Sequence, residues 1–544
     1  MSITRRKFLE IMTFMAGSAL IGWSPTQALA KNAAKGSKPG AYDAIIIGAG
    51  LGGLGCAALM AQNGLKPLVI EQHTVPGGYA TSFERDDDAG NTYKCEVSLH
   101  STVARSPSAK KLFTDMGIWN RLDLVDHKLA WSRLDPHGII DLPNAGLAGL
   151  EKLLVQRFPA EKDAIGKFMA FWQQFMLELE TLETKGIADK AQFPKVYPTL
   201  WYVAGKSLGQ VLDRFLANKD LKDLVGMTWG YYGLPPSKLS AFYYLEPMAD
   251  YLTHGGQYVR GTSQAMSNAL ADVIAKGGGK VILGERVSAI TMKNGRASGV
   301  RTASGKIFKA RAVVSNAAAP VTIGMLPEGA LPKDYTARLA GYNPSVSSVI
   351  VWLGLKGDVT KIQPRAEFSI DLQSDPEITY AASMNGDWAK AGLGCMIYDH
   401  LVPDFSPKGC STMAIMCLSG FEPWKKFEKD YEAGNKHEYN QAKDRIADLF
   451  IKTVDEKMVP GLSKMIAMRE VSSPLTNKRF TGNTAGAIYG YDQTVDNSFL
   501  TRLENRTPVK GLYLSSAWGN PGGGFGGALA GAKGAFKNLM EDLG

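Results

Sequence analysis

Two short apolar runs, each followed by a glycine-rich turn, occur near residue 45 and near residue 513. Residues 44–47 form one such run, residues 54–61 continue with small apolar residues of helical character, and residues 66–70 form a second run. Continuous apolar runs of this length, bounded by turns, are typical of buried parallel strands. The pattern therefore predicts a strand–turn–helix–strand unit near the start, and residues 511–535 repeat the strand–turn–helix portion.

The periodicity of apolar positions changes twice between these ends. Within residues 146–250, Leu, Phe, Trp and Met recur three and four positions apart, which predicts amphipathic helices. Aromatic residues at such spacing are interpreted as core more than as ligand contacts, although together they could wall an apolar tunnel. Residues 331–470 contain β-rich runs, such as 347–353 and 412–417, and two charged helical stretches.

Composition narrows the class of protein. The chain has 544 residues, 45% hydrophobic and 21% charged, which excludes a disordered chain and a collagen and leaves room for roughly three to four domain-sized units. The net charge of +9 is spread without any run of five or six basic residues, so we expect no nucleic-acid partner. The five cysteines follow no metal or haem spacing, so we expect no metal and interpret them as small buried residues.

The first 40 residues are typical of an export signal and a tether. Residues 4–9 (TRRKFL) form a twin-arginine pattern, a modestly apolar stretch follows, and residues 28–30 (ALA) form a small-residue exit. The apolar stretch is shorter than the about 20 residues that a spanning helix needs. We therefore predict a signal segment at 1–30, a flexible linker at 31–40, and a protein exported to the periplasm, with an uncleaved membrane anchor as the alternative.

The first glycine turn has the form of a dinucleotide-binding fingerprint. Gly48 permits the tight turn, Gly50 lets the backbone approach a pyrophosphate, Gly52 continues the turn, and Gly53 allows close helix–strand packing. The helix that follows presents unpaired N–H groups and a positive dipole end to phosphates. Glu71 ends the second strand, where its carboxylate can accept both ribose hydroxyls and would repel the 2′-phosphate of NADP.

Proteins that bind NAD and proteins that bind FAD share this fingerprint, and the next stretch distinguishes between them. Gln72, then Gly77-Gly78 and Thr81-Ser82-Phe83, follow the acidic residue. From here the chain resembles the flavoprotein superfamily of phytoene desaturases, carotenoid isomerases, retinol saturases and amine oxidases. Those proteins have an arginine after the two glycines, and this chain has Tyr79 there, which weakens the likeness to amine oxidases.

Three later segments extend the resemblance to most of the chain. Residues 255–290 resemble the segment that returns to the nucleotide, in which the residue matching Val287 contacts adenine through its backbone. Residues 312–318 return the chain to the nucleotide domain. The C-terminal turn resembles the one beneath the isoalloxazine and ribityl chain, and its predicted cofactor-binding residues are Gly522, Gly523, Gly526 and Ala528. Where relatives carry an aspartate for the ribityl hydroxyls this chain has Ala517, so another group or a backbone amide is expected to make that contact. The resemblance implies FAD as cofactor.

The resemblance also implies the fold class and the domain boundaries. We expect an α/β protein with a discontinuous Rossmann-like FAD-binding domain, its parallel sheet flanked by helices, and an α+β substrate domain with a mixed sheet and a helical insertion. The expected segments, in chain order, are the first FAD-binding segment (41–145), the helical insertion (146–255), the second FAD-binding segment (256–330), the mixed sheet (331–470), and the substrate-facing stretch with the third FAD-binding segment (471–544).

Residues 472–490 most resemble the isomerase and saturase branch, in which this segment enters the active site. This implies a hydrophobic, polyene-like substrate, with hydride transfer at flavin N5. His100 and His254 are the candidate acid–base residues, although each could be a structural, hydrogen-bonded histidine. Tyr489 and Trp518 are expected to line the cavity near the ring.

Export would remove the chain from NAD(P)H, so a quinone, a redox protein or oxygen is the expected electron partner, with peripheral membrane contact at an apolar entrance. Two other functions remain open: an amine or amino-acid oxidase that makes peroxide, and a non-catalytic flavin-binding factor of the envelope. The sequence leaves open the substrate, the direction of the reaction and the oligomeric state.

Overall fold

The computed structural model describes residues 42–98, 100–187, 189–498 and 501–543. The predicted signal segment at 1–30 and the linker at 31–40 lie outside the described residues.

The strands and helices follow the predicted change of pattern along the chain. The strands are β1 (Tyr42–Ile47), β2 (Pro67–Ile70), β3 (Ser82–Asp86), β4 (Thr92–Glu96), β5 (Leu124–Asp126), β6 (Leu129–Asp135), β7 (Gly138–Pro143), β8 (Gln257–Val259), β9 (Lys280–Ile282), β10 (Val287–Lys293), β11 (Arg296–Thr302), β12 (Ile307–Ser315), β13 (Ser347–Lys356), β14 (Glu367–Ile370), β15 (Leu393–Ile397), β16 (Cys410–Ser419), β17 (Ile466–Val471) and β18 (Leu512–Leu514). The α-helices are α1 (Leu51–Gln62), α2 (Pro107–Asp115), α3 (Gly146–Arg157), α4 (Lys162–Lys185), α5 (Phe193–Val196), α6 (Pro198–Val203), α7 (Leu208–Phe215), α8 (Lys219–Val225), α9 (Ala241–His254), α10 (Thr262–Lys276), α11 (Ala319–Gly324), α12 (Lys333–Ala340), α13 (Pro376–Asn385), α14 (Glu422–Glu432), α15 (His437–Lys457), α16 (Leu462–Met465), α17 (Pro474–Thr481) and α18 (Gly524–Leu543).

The first sheet is assembled from distant stretches of the chain. Strand β1 lies at its centre, parallel to β12 on one side and to β2 on the other, so that Ile46 lies opposite Val314 and Val69. Strand β9 extends the sheet beyond β2, and β18 pairs in parallel with the last residues of β12. Strands β10 and β11 continue it as an antiparallel extension from the first residues of β12. The predicted discontinuous Rossmann-like sheet is therefore confirmed.

Helix α1 is buried almost over its whole surface, because it lies between the first sheet and helices α10 and α18. Its small residues permit this close packing: a Cβ added at Gly55 would come 3.0 Å from Cβ of Ala532 on α18 and 2.9 Å from Cε of Met116. The surroundings of Gly53 are tighter still, since an added Cβ would come 2.1 Å from the carbonyl oxygen of Gly48. Gly53 thus has the helix–strand packing role that the fingerprint predicts.

The second sheet is mixed and runs in the order β17-β13-β16-β15-β14-β6-β7. Its centre is the long antiparallel pair β13–β16, and β14 pairs in parallel with β6. The hairpin β6–β7 comes from the stretch 41–145, which the sequence assigned to the first FAD-binding segment. The structure places this hairpin in the second sheet because its apolar residues, such as Trp131 and Ile140, pack in the core of the helical insertion.

The helical insertion, α3 to α9, packs around its own apolar core. Phe168, Trp172 and Phe175 are fully buried there, in contact with the other insertion helices. This confirms that these aromatic residues belong to the core. The indole N–H of Trp172 donates to the carbonyl oxygen of Leu245 at 3.0 Å, which satisfies its one polar group.

Predictions from the sequence about cysteines, metal sites and membrane-spanning helices can be compared with the described residues. All five cysteines are free, and four of them are buried while Cys410 is half-buried. In the described ranges no group of three or more His, Cys, Asp or Glu side chains is arranged to hold a metal ion. None of the described helices combines the length and the apolar character needed to cross a bilayer.

Candidate functional site

A cavity of about 530 Å³ lies at the carboxyl ends of β1, β2 and β18, between the two sheets; we call it the main cavity. Its size is in the range of ligand and cofactor pockets. Segments from residues 47 to 528 contribute to its wall. The position is the one where open α/β sheets bind nucleotides, because loops and helix N-termini meet at that edge.

One end of the main cavity is a cradle of backbone atoms. Gly48 has φ of +92°, a conformation that favours glycine, and an added Cβ at Gly50 would come 2.5 Å from Oδ1 of Asn316. At Gly52 an added Cβ would come 2.1 Å from the carbonyl oxygen of Ser515. Helix α1 begins here with Gly50 as N-cap and without a side-chain cap, so its first amides face the cavity. Such an end suits a phosphate group.

The carboxylate of Glu71 closes the same end. Its Oε2 accepts from the amide of Ala49 and its Oε1 from the amide of His73, both at 2.7 Å. These two bonds fix the carboxylate at the cavity wall and leave each oxygen a further lone pair for a hydroxyl donor. Gln72 and Val287 also line the cavity at this end.

The second pair of glycines lies against the first. Gly77 has φ of +133° and its amide donates to the carbonyl oxygen of Ala49 at 2.7 Å. An added Cβ at Gly78, which has φ of +62°, would come 3.3 Å from Cα of Gly50. Both glycines line the main cavity, as predicted.

Tyr79, which stands where relatives have an arginine, also lines the cavity. Its hydroxyl lies within hydrogen-bond distance of the carbonyl oxygens of Gly486 and Ala487, at 3.2 and 3.3 Å. Burial raises the pKa of Tyr79 well above its ordinary value, so the phenol stays protonated and donates. The residue joins the nucleotide end of the site to the segment that follows α17.

In the C-terminal turn, the residues that line the cavity lie slightly later in the sequence than most of the predicted ones. Ala528 lines the cavity, together with Gly524 and Phe525 at the start of α18. Gly522 and Gly523 pack just outside the wall: an added Cβ at Gly522 would come 2.0 Å from Nε2 of Gln493, and one at Gly523 would come 2.7 Å from backbone atoms of Tyr489. Gly526 is exposed and has no atom within 4 Å of an added Cβ.

One buried arginine, which the sequence analysis missed, fixes the loops beside this turn. The guanidinium of Arg502 is 1% exposed and donates to the carbonyl oxygens of Ala517 at 2.7 Å and of Gly519 and Tyr491 at 3.0 Å. Further contacts join it to the carbonyl oxygens of Asp492 and Asn497. Burial lowers the pKa of Arg502 to about 10, so it remains charged at neutral pH. No local pattern marks this residue, because its partners come from two separate stretches, 491–497 and 517–519.

The segment 474–490 contributes to the wall of the main cavity, as expected from the resemblance. Asn477, Phe480 and Tyr489 all line the main cavity. Trp518 lines it too and is 2% exposed, with its indole N–H donating to Oδ1 of Asn483 at 3.3 Å. The predicted positions of Tyr489 and Trp518 in the cavity wall are therefore those observed.

A second space of about 90 Å³ adjoins the main cavity, and we call it the inner chamber. It lies between the second sheet and the helical insertion and shares His100, Tyr231 and Met416 with the main cavity. Most of its remaining wall is apolar, with Trp131, Leu393 and Leu418 among its residues. The two spaces together extend from the glycine cradle into the apolar interior.

His100 stands at the junction of the two spaces. Its Nδ1 lies 3.3 Å from the hydroxyl of Tyr398, and its Nε2 has no hydrogen-bond partner among the described residues. Burial, with a smaller effect of His127, lowers the pKa of His100 to about 4, so the ring is neutral at pH 7. His254, the other candidate, ends helix α9 with Nδ1 2.8 Å from Oδ1 of Asp250, and it lines neither space.

A carboxyl group that the sequence analysis did not single out also lines the inner chamber. Glu367 on β14 is 8% exposed, and its Oε1 accepts a short hydrogen bond from the hydroxyl of Tyr231. Burial raises the pKa of Glu367 to about 7, against the opposing effect of that bond. The available signal was one acidic residue at the start of a short strand with the sequence EFSI.

The residues of the main cavity fit FAD. Added Cβ atoms at Gly50 and Gly52 would fill the cradle, two helix N-termini open into it, and the fixed carboxylate of Glu71 suits ribose hydroxyls. Beyond the cradle, the wall becomes aromatic at Tyr489 and Trp518, where a flat ring system can pack.

The chain is similar to known proteins over most of its length. The sequence model of the family described as flavin containing amine oxidoreductase matches residues 51–535. A chloroplastic prolycopene isomerase of Daucus carota is 25% identical over 488 residues, which are 87% of this chain and 75% of that protein. An all-trans-retinol 13,14-reductase of Danio rerio is 24% identical over 538 residues, 91% of this chain and 85% of that protein. The crystal structure of an oxidoreductase from Methanosarcina mazei shares the fold, with a TM-score of 0.60 and 18% identity over 92% of this chain and all of that one.

Proposed function

The chain belongs to the family of flavin-containing amine oxidoreductases and is an FAD-dependent oxidoreductase, and on that premise we propose that it exchanges hydride with a hydrophobic, isoprenoid or polyene substrate. The reaction is a desaturation, a saturation or an isomerisation of carbon–carbon double bonds. The names of the relatives, a prolycopene isomerase and a retinol reductase, favour this substrate class.

The observation that carries the proposal is the continuous apolar space beyond the cofactor end of the site. Ile350, Trp352 and Ile488 line the main cavity, and the adjoining inner chamber continues between the second sheet and the insertion helices. A substrate with a long apolar chain buries its surface there, and each buried CH₂ group contributes about 0.8 kcal/mol. A small polar substrate would gain little from such walls.

Bound FAD supplies hydride acceptance and donation at its flavin ring. The chain contributes the surroundings of that chemistry. The aromatic wall at Tyr489 and Trp518 excludes water and orients the substrate, and the first amides of α18 present a positive dipole end, which favours a reduced, negatively charged ring. His100, neutral at pH 7, offers a ring nitrogen to the junction of the two spaces.

The test uses the purified holoprotein under anaerobic conditions. Flavin is reduced photochemically and mixed with prolycopene or all-trans-retinol in detergent micelles, and the visible absorbance of oxidised flavin is followed together with the product. Substrate-dependent reoxidation or isomerisation supports the proposal. A second arm offers oxidised holoprotein a panel of amines in air: oxygen uptake with amines and none with polyenes would replace the proposal with an amine oxidase, and inertness in both arms would favour a non-catalytic flavin-binding factor.

We further propose that the electron partner is a quinone, a redox protein or oxygen, and that the cavity entrance touches a membrane surface. Exposed apolar side chains support this contact: Phe480 and Val321, 48% and 39% exposed, both line the main cavity. Val75, 38% exposed, lies two residues after His73, and Leu283, 39% exposed, precedes Gly284, whose amide donates to the carbonyl oxygen of His73 at 2.9 Å. The ring of His73 packs on Phe480 with a centroid distance of 5.5 Å. Flotation with liposomes tests the contact: co-flotation that is lost in Phe480→Ser supports it, and a protein that stays in the dense fraction contradicts it.

We also propose that the protein is exported by the twin-arginine route, on the strength of the pattern at residues 4–9 and the small-residue exit at 28–30. The test fractionates cells that express the full chain or its Arg5→Lys/Arg6→Lys variant. Periplasmic protein that is retained in the cytoplasm by the double substitution supports export, and cytoplasmic location of the unaltered chain refutes it.

A further inference from the structure

Three buried polar atoms without hydrogen-bond partners belong to the wall of the inner chamber. They are Nε2 of His100, Nε1 of Trp131 and Oε2 of Glu367, on side chains whose residues are 7–8% exposed. Buried polar atoms are almost always paired, because an unpaired one loses its bonds to water without compensation. Three of them around one space of about 90 Å³ indicate that a polar group occupies it when the site is filled.

The tautomer of a neighbouring histidine favours the protonated form of Glu367, whose pKa burial raises to about 7. Nε2 of His127 lies 3.0 Å from the carbonyl oxygen of His100, which accepts only, so this nitrogen carries the proton. Burial lowers the pKa of His127 to about 4, and its Nδ1 is then a bare lone pair 3.7 Å from Oε2 of Glu367. A carboxylate facing a lone pair is unfavourable, whereas a carboxylic acid can point its proton at it. The other groups that face Glu367 are the phenols of Tyr231, Tyr251 and Tyr398, which stay neutral.

Besides Glu367, the ionisable acid in the chamber wall is Asp371, and it is paired with Arg133, so the chamber offers a ligand no unpaired charged side chain. The nearest permanent cation, Arg133, is already matched by Asp223 at 2.6 Å and by Asp371 at 3.1 Å. A carboxylate ligand would find no free cation, and an ammonium ligand would first have to ionise Glu367. A neutral hydroxyl suits the chamber, because it accepts from the Trp131 N–H and donates to His100 or Glu367.

We propose that the inner chamber binds the hydroxyl end of the substrate, which is thus an isoprenoid alcohol whose apolar chain lies in the main cavity. The inference rests on the proposed function, since it needs a hydrophobic substrate beside the flavin. Trp131, Glu367 and His100 are specificity-determining residues in this arrangement. A hydrocarbon of the same shape leaves their three polar atoms unpaired and is rejected.

The experiment compares three probes of one skeleton: all-trans-retinol, the hydrocarbon that lacks its oxygen, and retinylamine. Binding to the holoprotein is measured from the fluorescence of each probe. The unaltered protein is expected to bind the alcohol at least about tenfold more tightly than the hydrocarbon, since an unpaired buried partner costs that much or more. In Trp131→Phe and in Glu367→Leu this preference should shrink about five- to tenfold, with the hydrocarbon affinity unchanged. The control is Trp388→Phe, which changes a tryptophan that lines neither space.

Each outcome has one meaning. Equal binding of alcohol and hydrocarbon would overturn the hydroxyl site and leave the proposed function standing, whereas binding of neither would overturn both. Tightest binding of retinylamine would replace the hydroxyl with an ammonium group. The comparison of probes in the unaltered protein needs no variant, so it decides the matter even if a variant fails to fold, which its flavin content reports.

Discussion

Replacing Gly52 with alanine tests whether close approach of two distant segments builds the cofactor cradle. The new Cβ would lie 2.1 Å from the carbonyl oxygen of Ser515 and 2.7 Å from Nδ2 of Asn316. The first of these atoms belongs to the backbone and cannot rotate away, so helix α1 and the end of β18 must separate by about 1 Å to restore van der Waals distance. Both segments line the main cavity, so the cradle itself is deformed.

Overpacking of this kind costs about 1–3 kcal/mol. If the cost falls on the cofactor-bound form, it weakens FAD binding roughly 5- to 150-fold, because each 1.4 kcal/mol is a factor of about ten. The assay titrates apoprotein with FAD and follows the quenching of flavin fluorescence, and circular dichroism shows that the variant is folded.

Two controls separate close packing from other effects. Ser515→Ala removes only the hydroxyl that donates to the carbonyl oxygen of Gly52 at 2.7 Å, so we expect a loss of about tenfold or less. Gly166→Ala places a Cβ in open space within helix α4 and is expected to leave FAD affinity unchanged. A Gly52→Ala protein that binds FAD within twofold of the unaltered affinity would refute the reasoning.

Three further predictions concern other regions of the fold. Arg502→Lys leaves several buried carbonyl oxygens without a donor and should lower the free energy of unfolding, measured in urea, by about 3–5 kcal/mol. The control is Arg479→Lys at an exposed position, and equal stability of the two variants would contradict the role given to Arg502. Tyr79→Phe loses one donor to the backbone at Gly486 and should weaken FAD binding less than about tenfold, measured by the same titration, so a loss beyond a hundredfold would mean that the phenol touches the cofactor. Burial, with Asp250 and Glu183, raises the pKa of Glu246 to about 8, so the folded state keeps a proton that the unfolded state loses, and the free energy of unfolding falls as pH rises from roughly 5 to 9. Glu246→Gln should remove this part of the decline when unfolding in urea is measured against pH. Curves of the variant and the unaltered protein that run parallel would contradict the prediction.

The nucleotide end of the site was predictable because its signals are local. The turn from Gly48 to Gly53 and the acid at Glu71 lie within one strand–helix–strand unit, and Gly53 packs against Gly48 and Ile46 of that same unit. The partners of Gly52 were not predictable. Asn316 and Ser515 have ordinary side chains, and only the folded chain brings their atoms beside the cradle.

The C-terminal turn shows a different limit. The sequence has Gly522, Gly523 and Gly524 in a row, and any of them could have opened the helix. In the structure the helix begins at Gly524, so the two preceding glycines serve packing against Tyr489 and Gln493. The choice among equivalent glycines depends on tertiary neighbours, which no local pattern encodes.

The inner chamber was beyond sequence reasoning for a related reason. Tyr231 lies in the helical insertion and Glu367 in the second sheet, 136 positions apart, and neither belongs to a motif. The predicted candidate His100 does reach the chamber, because it follows β4, which leads from the cradle into the second sheet region. His254 is the last residue of α9 in the insertion and lines neither space.

The hydrogen bond between Ser515 and Gly52 spans 463 positions of sequence. During synthesis β12 can pair with β1 as soon as residue 315 has emerged, but the last part of its other edge, Val313 to Ser315, stays unpaired until β18 is made. An open strand edge is a template for mispairing with other chains. We therefore expect chaperones to cover this edge while nearly two hundred further residues are synthesised. Ribosome-bound chains that stop short of residue 511 should accordingly aggregate on release, whereas chains that carry β18 should not.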